Sequence, residues 1–183
     1  MALKKEDFAN KLLSAIQNAN SPETSQQAWC DAIASYIVLA YEAHGTYKGV
    51  LTSGSPDPLS SAPDYICKVA SCKLSAGDVF NGLSSLQDPS QVLQKLSTNL
   101  TSALLANLQF DTTDSSSLLT FKPAVQATLV ITLALSLATN PSDAMGAFAE
   151  QIITGLQSAT PITPAIPTTT QGGAGTTTFS SFK

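Results

Sequence analysis

A single imidazole, His44, stands among 183 residues, and this limits acid/base and metal chemistry before anything else is read. Histidine is the side chain best placed to move protons near neutral pH and the commonest metal ligand. His44 closes a helical pattern just before Gly45, where the negative end of a helix dipole favours a protonated imidazole. Its expected role is therefore capping. Cys67-x4-Cys72 supplies two thiols but lacks the further Cys or His that a tetrahedral zinc site requires, so buried free thiols are expected, with a local disulfide as the alternative.

The remaining candidates are weaker still. None of the serines lies in Gly-x-Ser-x-Gly, and one distant His cannot complete a Ser/His/Asp arrangement. Gly172-Gly173-Ala174-Gly175 is glycine-rich but has neither a Lys nor a following helix to hold phosphate. Asp111 and Asp114 fall in a polar linker and read as solvated charges. Asn99-Leu100-Thr101 matches a glycosylation triplet, but it lies on a predicted helix and no secretion signal is read, so chance accounts for it. No catalytic, cofactor-binding or metal-binding residue is assigned, and a non-enzymatic protein is expected.

Composition narrows the class. Charged residues make up 12% of the chain, about half the usual share. A surface so poor in charge must be covered by Ser, Thr, Asn and Gln, or by neighbours. All nine basic residues are Lys and the net charge is -4, so the planar Arg fork that grips phosphate and guanine is missing and no nucleic-acid partner is expected. Three cysteines suit a reducing compartment, and Met1-Ala-Leu-Lys-Lys-Glu-Asp has no apolar run behind its charge, so a cytoplasmic site of synthesis is expected.

The elements that would position any site follow a helical period. Phe8, Leu12, Ile16 and Ala19 line one helix. Ser21-Pro22 opens a second, with Ser as N-cap and Pro at the first helical position, carrying Trp29, Ile33, Tyr36, Ile37 and Ala40 inward to about His44-Gly45. Residues 46–62 read as a long loop, 63–71 as a short helix, and Ser75 with Asp78 as the start of another. Asp88-Pro89 opens a strong helix with Leu93, Leu96, Leu100 and Leu104 on one side, and residues 109–120 form a polar linker.

Between Lys122 and Asp143 runs an uncharged stretch in which Thr128, Thr132 and Ser136 share a narrow helical stripe. Its part Val125 to Ala138 falls well short of the roughly 20 predominantly apolar residues of a membrane span, so the stretch is expected to be a buried central helix. Asn140-Pro141 caps a last helix with Met145, Phe148, Ile152 and Leu156 inward. The Ser/Asp/Asn-Pro turns at 21, 88 and 140 suggest repeated helical hairpins. The expected fold is mainly α: a bundle of two or three helical hairpins over residues 1–158, with an extended C-terminal arm over 159–183.

That arm departs in composition. Pro161, Pro164 and Pro167 favour polyproline II, and a Thr/Gly segment leads to Phe179 and Phe182. Its low-complexity surroundings offer these two rings no core, so all five residues are expected to dock on a neighbouring subunit.

The Ala-Trp-x-Asp-Ala-Ile-x-x-Tyr helix at 28–36, the Ala-rich hairpin at 124–158 and the Thr/Pro/Gly tail together resemble virion structural proteins of tailed bacteriophages. The resemblance covers both ends of the chain and not residues 46–120. It implies a capsid, neck, tail or baseplate subunit, made in the host bacterial cytoplasm and carried in the virion, with copies of itself or other virion proteins as partners. No membrane or small-molecule substrate enters this reading. Two alternatives stand beside it: a membrane-active helical protein using residues 124–138, and a helical bundle that binds a small ligand.

Overall fold

The computed structural model describes residues 3–61, 65–112, 128–136, 139–161, 165–169 and 172–183. Three of its helices begin where a proline follows a capping side chain. Ser21 accepts from the Thr24 N–H and Thr24 Oγ1 accepts from the Ser21 N–H at the head of α2, Pro22–Ala40, after a first helix α1, Lys5–Gln17. Farther on, past the four-residue helix α3, Ala76–Val79, Asp88 accepts from Ser90 N–H to start α4, Pro89–Asn107. Asn140 accepts from Asp143 N–H to start α5, Pro141–Ser158.

The rest corrects the expected helical bundle. Glu42–Leu51, Tyr65–Ser71, Gln109–Thr112, Ala165–Thr169 and Gly173–Phe182 are strands β1 to β5. They form one antiparallel sheet in the order β3-β2-β1-β5-β4. The architecture is therefore helices packed on a sheet. Residues 46–51 of the expected loop continue β1, and Pro58–Ser61 make a short 3-10 turn. Residues 65–71 of the expected short helix are β2, and 109–112 of the expected linker are β3. α2 ends at Ala40, so His44 lies inside a strand rather than at a helix terminus.

The arm is corrected most. Its residues 165–169 and 173–182 are β4 and β5, and β5 lies inside the sheet between β1 and β4. Two backbone bonds, Glu42 N–H to Lys183 O and Lys183 N–H to Glu42 O, each 2.8 Å, close the end of the chain onto the start of β1. Phe179 and Phe182 are each 2% exposed, in this chain's own core. They are three residues apart, so a regular strand would send them to opposite faces. A β-bulge resolves this: His44 pairs with Ser181 and Gly45 with Phe179, leaving Ser180 unopposed. Phe179 and Phe182 then lie opposite Gly45 and Ala43, on one face. Gly45 is required there, because a Cβ would stand 2.3 Å from Thr178 O.

On that face the rings of Tyr41, Phe110 and Phe182 meet, with centroids 5.2 to 5.8 Å apart. Tyr41 also donates its hydroxyl to Leu156 O of α5 at 2.6 Å. Four segments distant in sequence are thus joined at one point. The helix with the most buried residues is α2, where Cys30, Ile33 and Ile37 have no exposure. On its flank, the Tyr36 ring stacks on Phe8 of α1 at 4.4 Å.

Phe182→Ala is expected to lower stability by about 3–5 kcal/mol in urea unfolding. Deleting Ser180 regularises the ladder and keeps both rings inward, so it should cost far less. A Phe182→Ala midpoint equal to that of the parent would contradict the inward placement.

Candidate functional site

No helix forms in residues 128–136, the described part of the expected central helix. Its residues 137–138 and those before 128 lie outside the described residues. Leu129, Ile131 and Leu133 are buried while Thr128, Val130 and Thr132 are exposed, which is the two-residue period of extended backbone. This segment, the strap, lies between α4 and α5 without joining the sheet.

Side chains of the two helices replace a β ladder. Leu133 N–H donates to Ser97 Oγ and Ile131 N–H to Thr101 Oγ1, both at 2.9 Å. The match is one of spacing: four residues of helix rise about 6 Å and two residues of extended chain about 6.6 Å. Ser97 and Thr101 therefore meet alternate strap amides, with the strap antiparallel to α4. Ser97 also donates to Leu93 O at 2.7 Å, so its hydroxyl is used in both senses.

On the α5 side, Gln151 Oε1 accepts from Ala134 N–H at 3.0 Å and Gln151 Nε2 donates to Ala134 O at 3.4 Å. At the strap's start, Thr128 Oγ1 accepts from Thr160 N–H at 3.1 Å. Gly155 lets the backbone lie down on α5, since a Cβ there would stand 2.6 Å from Ile131 Cδ1 and 2.7 Å from Val130 O. Glycine inside a helix ordinarily costs about 1 kcal/mol relative to Ala, and this close approach explains its presence.

Two exposed apolar side chains point away from the core here, Val130 at 57% and Leu135 at 67%. Leu135 borders a cleft of ≈ 480 Å³ that Val92 and Leu93 of α4 and Phe148 of α5 also line. What the arrangement can do is hold an extended peptide by its amides and its alternate apolar side chains.

The residues singled out for chemistry are not brought together. On the sheet's other face, His44 Nε2 lies 3.4 Å from Glu42 Oε2 and Lys68 Nζ 3.9 Å from Glu42 Oε1, fastening β1 to β2. Glu42 is a residue sequence reasoning passed over. Cys30, Cys67 and Cys72 are buried and form no disulfide. Desolvation by burial, helped by Asp31, pushes Cys30 up to about 12, and burial pushes Cys72 up to about 11. Neither is a thiolate near neutral pH.

Asn99 spends its amide on Val79 O and Asn81 O, both at 3.0 Å, tying the end of α3 to α4. Among the described residues no group of three His, Cys, Asp or Glu could hold a metal ion. Of the five expected docking residues, Phe179 and Phe182 are core, Pro161 is buried and Pro167 lies on the edge strand β4 opposite Thr176. Edge strands are where sheets tolerate proline. Pro164 lies outside the described residues, as does Asp114.

Two tests follow from this geometry. Ser97→Ala leaves the Leu133 amide without its acceptor and should cost about 1–3 kcal/mol in urea unfolding. Thr98→Val, at an exposed position whose hydroxyl bonds only Gln94 O among the described residues, should stay within about 0.5 kcal/mol. Equal costs would remove Ser97 as a strap holder.

The second test is alkaline. A thiol titrates at about 8.5 when unfolded, so protonation held by the fold stabilises fully below that pH and is lost as pH rises through the folded values. The urea midpoint should fall from pH 8 to pH 10.5, and a rise would contradict the buried placement.

Comparison of the chain with protein-family models, with curated proteins and with solved structures found no match, so the functional reading rests on the geometry of the strap and the two helices that hold it.

Proposed function

We propose that the chain is a non-enzymatic assembly subunit that associates through the strap face with copies of itself or with other proteins of a virion. The virion context comes from the resemblance of residues 28–36 and 124–158 to structural proteins of tailed bacteriophages. The observation that carries the assembly reading is the poverty of charge around the strap. Among the described residues lining the three clefts that border it, Glu150 is the one ionisable group, and Lys5 Nζ holds it at 2.6 Å.

Interface cores are depleted in charge in this way, and contiguous exposed apolar side chains mark interaction surfaces. Ser, Thr and Gln around Val130 and Leu135 supply the polar rim such a contact needs. The C-terminal strands contribute indirectly, by completing the sheet against which α5 is seated.

Neither alternative gains from the strap. The membrane-active reading required a helix over 124–138, whereas 128–136 is extended, and no helix among the described residues is long and apolar enough to cross a membrane. The small-ligand reading required a closed cavity lined from both hairpins, and the space beside Leu135 is a cleft.

Native mass measurement across a concentration series should find species heavier than the 19.0 kDa chain. Val130→Asp and Leu135→Asp should each weaken association about tenfold or more, a loss of about 1.4 kcal/mol or greater, with the circular dichroism spectrum unchanged. A 19.0 kDa species at every concentration would defeat association between copies through the strap face.

A further inference from the structure

Asn81 is the one asparagine of this chain that precedes a glycine. We propose that it is a site of spontaneous covalent change, its carboxamide converting to aspartate and isoaspartate through a cyclic imide, and that the Asn99 amide sets the rate. The site stands apart from the strap and needs no second copy.

Closing the imide takes an exposed, unbonded backbone N–H directly after an asparagine whose own carboxamide is unbonded. Asn81 and Gly82 are both exposed and lie in the turn between α3 and α4. Among the described residues no hydrogen bond involves the Gly82 N–H or the Asn81 carboxamide. Without a Cβ, Gly82 leaves its nitrogen open to approach, and a Cβ built there would meet Lys95 Cε alone, at 3.8 Å.

The other asparagines are denied this route. The amides that follow Asn10, Asn99 and Asn107 belong to the helical ladders of α1 and α4 or to the cap that ends α4. After Asn18, Ala19 N–H donates to Ile16 O at 3.3 Å; after Asn20, Ser21 N–H donates to Thr24 Oγ1 at 2.9 Å. Asn140 is followed by Pro141, which has no N–H.

Water is the one co-reactant, and nothing is oxidised or reduced. Gly82 N gives up its proton to solvent and bonds to Asn81 Cγ, and the carboxamide nitrogen leaves as ammonia. Water then adds to either carbonyl of the five-membered imide, and the C–N bond at that carbonyl breaks. Opening at Cγ gives aspartate, and opening at the main-chain carbon gives isoaspartate, with a methylene added to the main chain. Either product adds one negative charge to a chain of net charge -4.

The turn as folded opposes closure. Leu83 N–H donates to Phe80 O at 3.3 Å, and Gly82, at φ 72°, fills the third position, where a type II turn requires positive φ. In such a turn ψ of the second residue is about +120°, which directs Gly82 N away from the Asn81 side chain. The planar Asn81–Gly82 peptide must therefore rotate, and Asn81 O rotates with it. Asn99 Nδ2 holds that oxygen at 3.0 Å and Val79 O at 3.0 Å. One side chain of α4 thus latches the plane whose rotation starts the reaction.

Trypsin releases Leu74 to Lys95 as a peptide in which Asn81 is the one asparagine, so conversion is read there directly. The full-length chain is incubated near neutral pH in heavy-oxygen water, then digested in ordinary, mildly acidic water beside an unincubated control. The peptide should become two isomeric heavier products, each carrying one heavy oxygen, ahead of any change at Asn20 or Asn99, and Asn81→Gln should lose them. Asn99→Ala, its fold checked by circular dichroism, should speed conversion in the folded chain by roughly threefold to tenfold, the factor one net hydrogen bond is worth, and leave the rate in urea unchanged. The parent chain should itself convert faster in urea than folded, a comparison that needs no variant to fold.

An Asn81 peptide that stays unconverted in the folded chain, or that gains no heavy oxygen, overturns the site. Equal folded rates in the parent and Asn99→Ala, or a parent no faster in urea, overturn the latch.

Discussion

The inward placement of both Phe179 and Phe182, set by the bulge at Ser180, is the constraint on which the rest depends. Were all four residues 179–182 paired in a regular ladder, the two rings would face opposite sides of the sheet, and the ring cluster of Tyr41, Phe110 and Phe182 would lose the member that brings in the last strand. That cluster joins side chains from β3, β5 and the residue just before β1, and the Tyr41 hydroxyl reaches from it to Leu156 of α5. The position of α5 is therefore coupled to the closing of the C-terminal strand. Because α5 is one wall of the groove that holds the strap, the strap's seat inherits its geometry from the sheet.

The helices were legible in the sequence and most of the sheet was not, for identifiable reasons. Ser21, Asp88 and Asn140 each precede a proline, and capping is a local event that a few residues specify. The strands are specified non-locally. Gly45 and Gly49 read as breakers, yet both sit in β1 where a neighbouring backbone or the Tyr47 ring leaves no room for a Cβ. The Thr run at 176–178 read as a flexible tail, although β-branched residues favour a strand once a partner is supplied, and β1 supplies it. Nothing local announces that partner, which lies more than a hundred residues earlier.

The strap had a signal that was outweighed. Leu129, Ile131, Leu133 and Leu135 alternate with a period of two, whereas the helical reading leaned on Thr128, Thr132 and Ser136 at a period near four. Both patterns coexist in the stretch, and the lengthy uncharged run favoured the helix. Tertiary context decided the matter: α4 with α5 offers hydroxyl and amide side chains at the spacing an extended backbone needs. Ser97 and Thr101, four apart on α4, were legible only as polar residues flanking a leucine stripe.

Low charge, which first marked the chain as unusual, thereby acquires a location. The clefts beside the strap share it, and there an extended segment and two exposed apolar side chains lie together. Hydrogen exchange at residues 128–136, followed by mass spectrometry as the protein is concentrated, tests this most directly. The account predicts that protection of these amides rises with concentration, as a second copy covers the strap and the groove. Exchange that is the same from the most dilute to the most concentrated sample would contradict it.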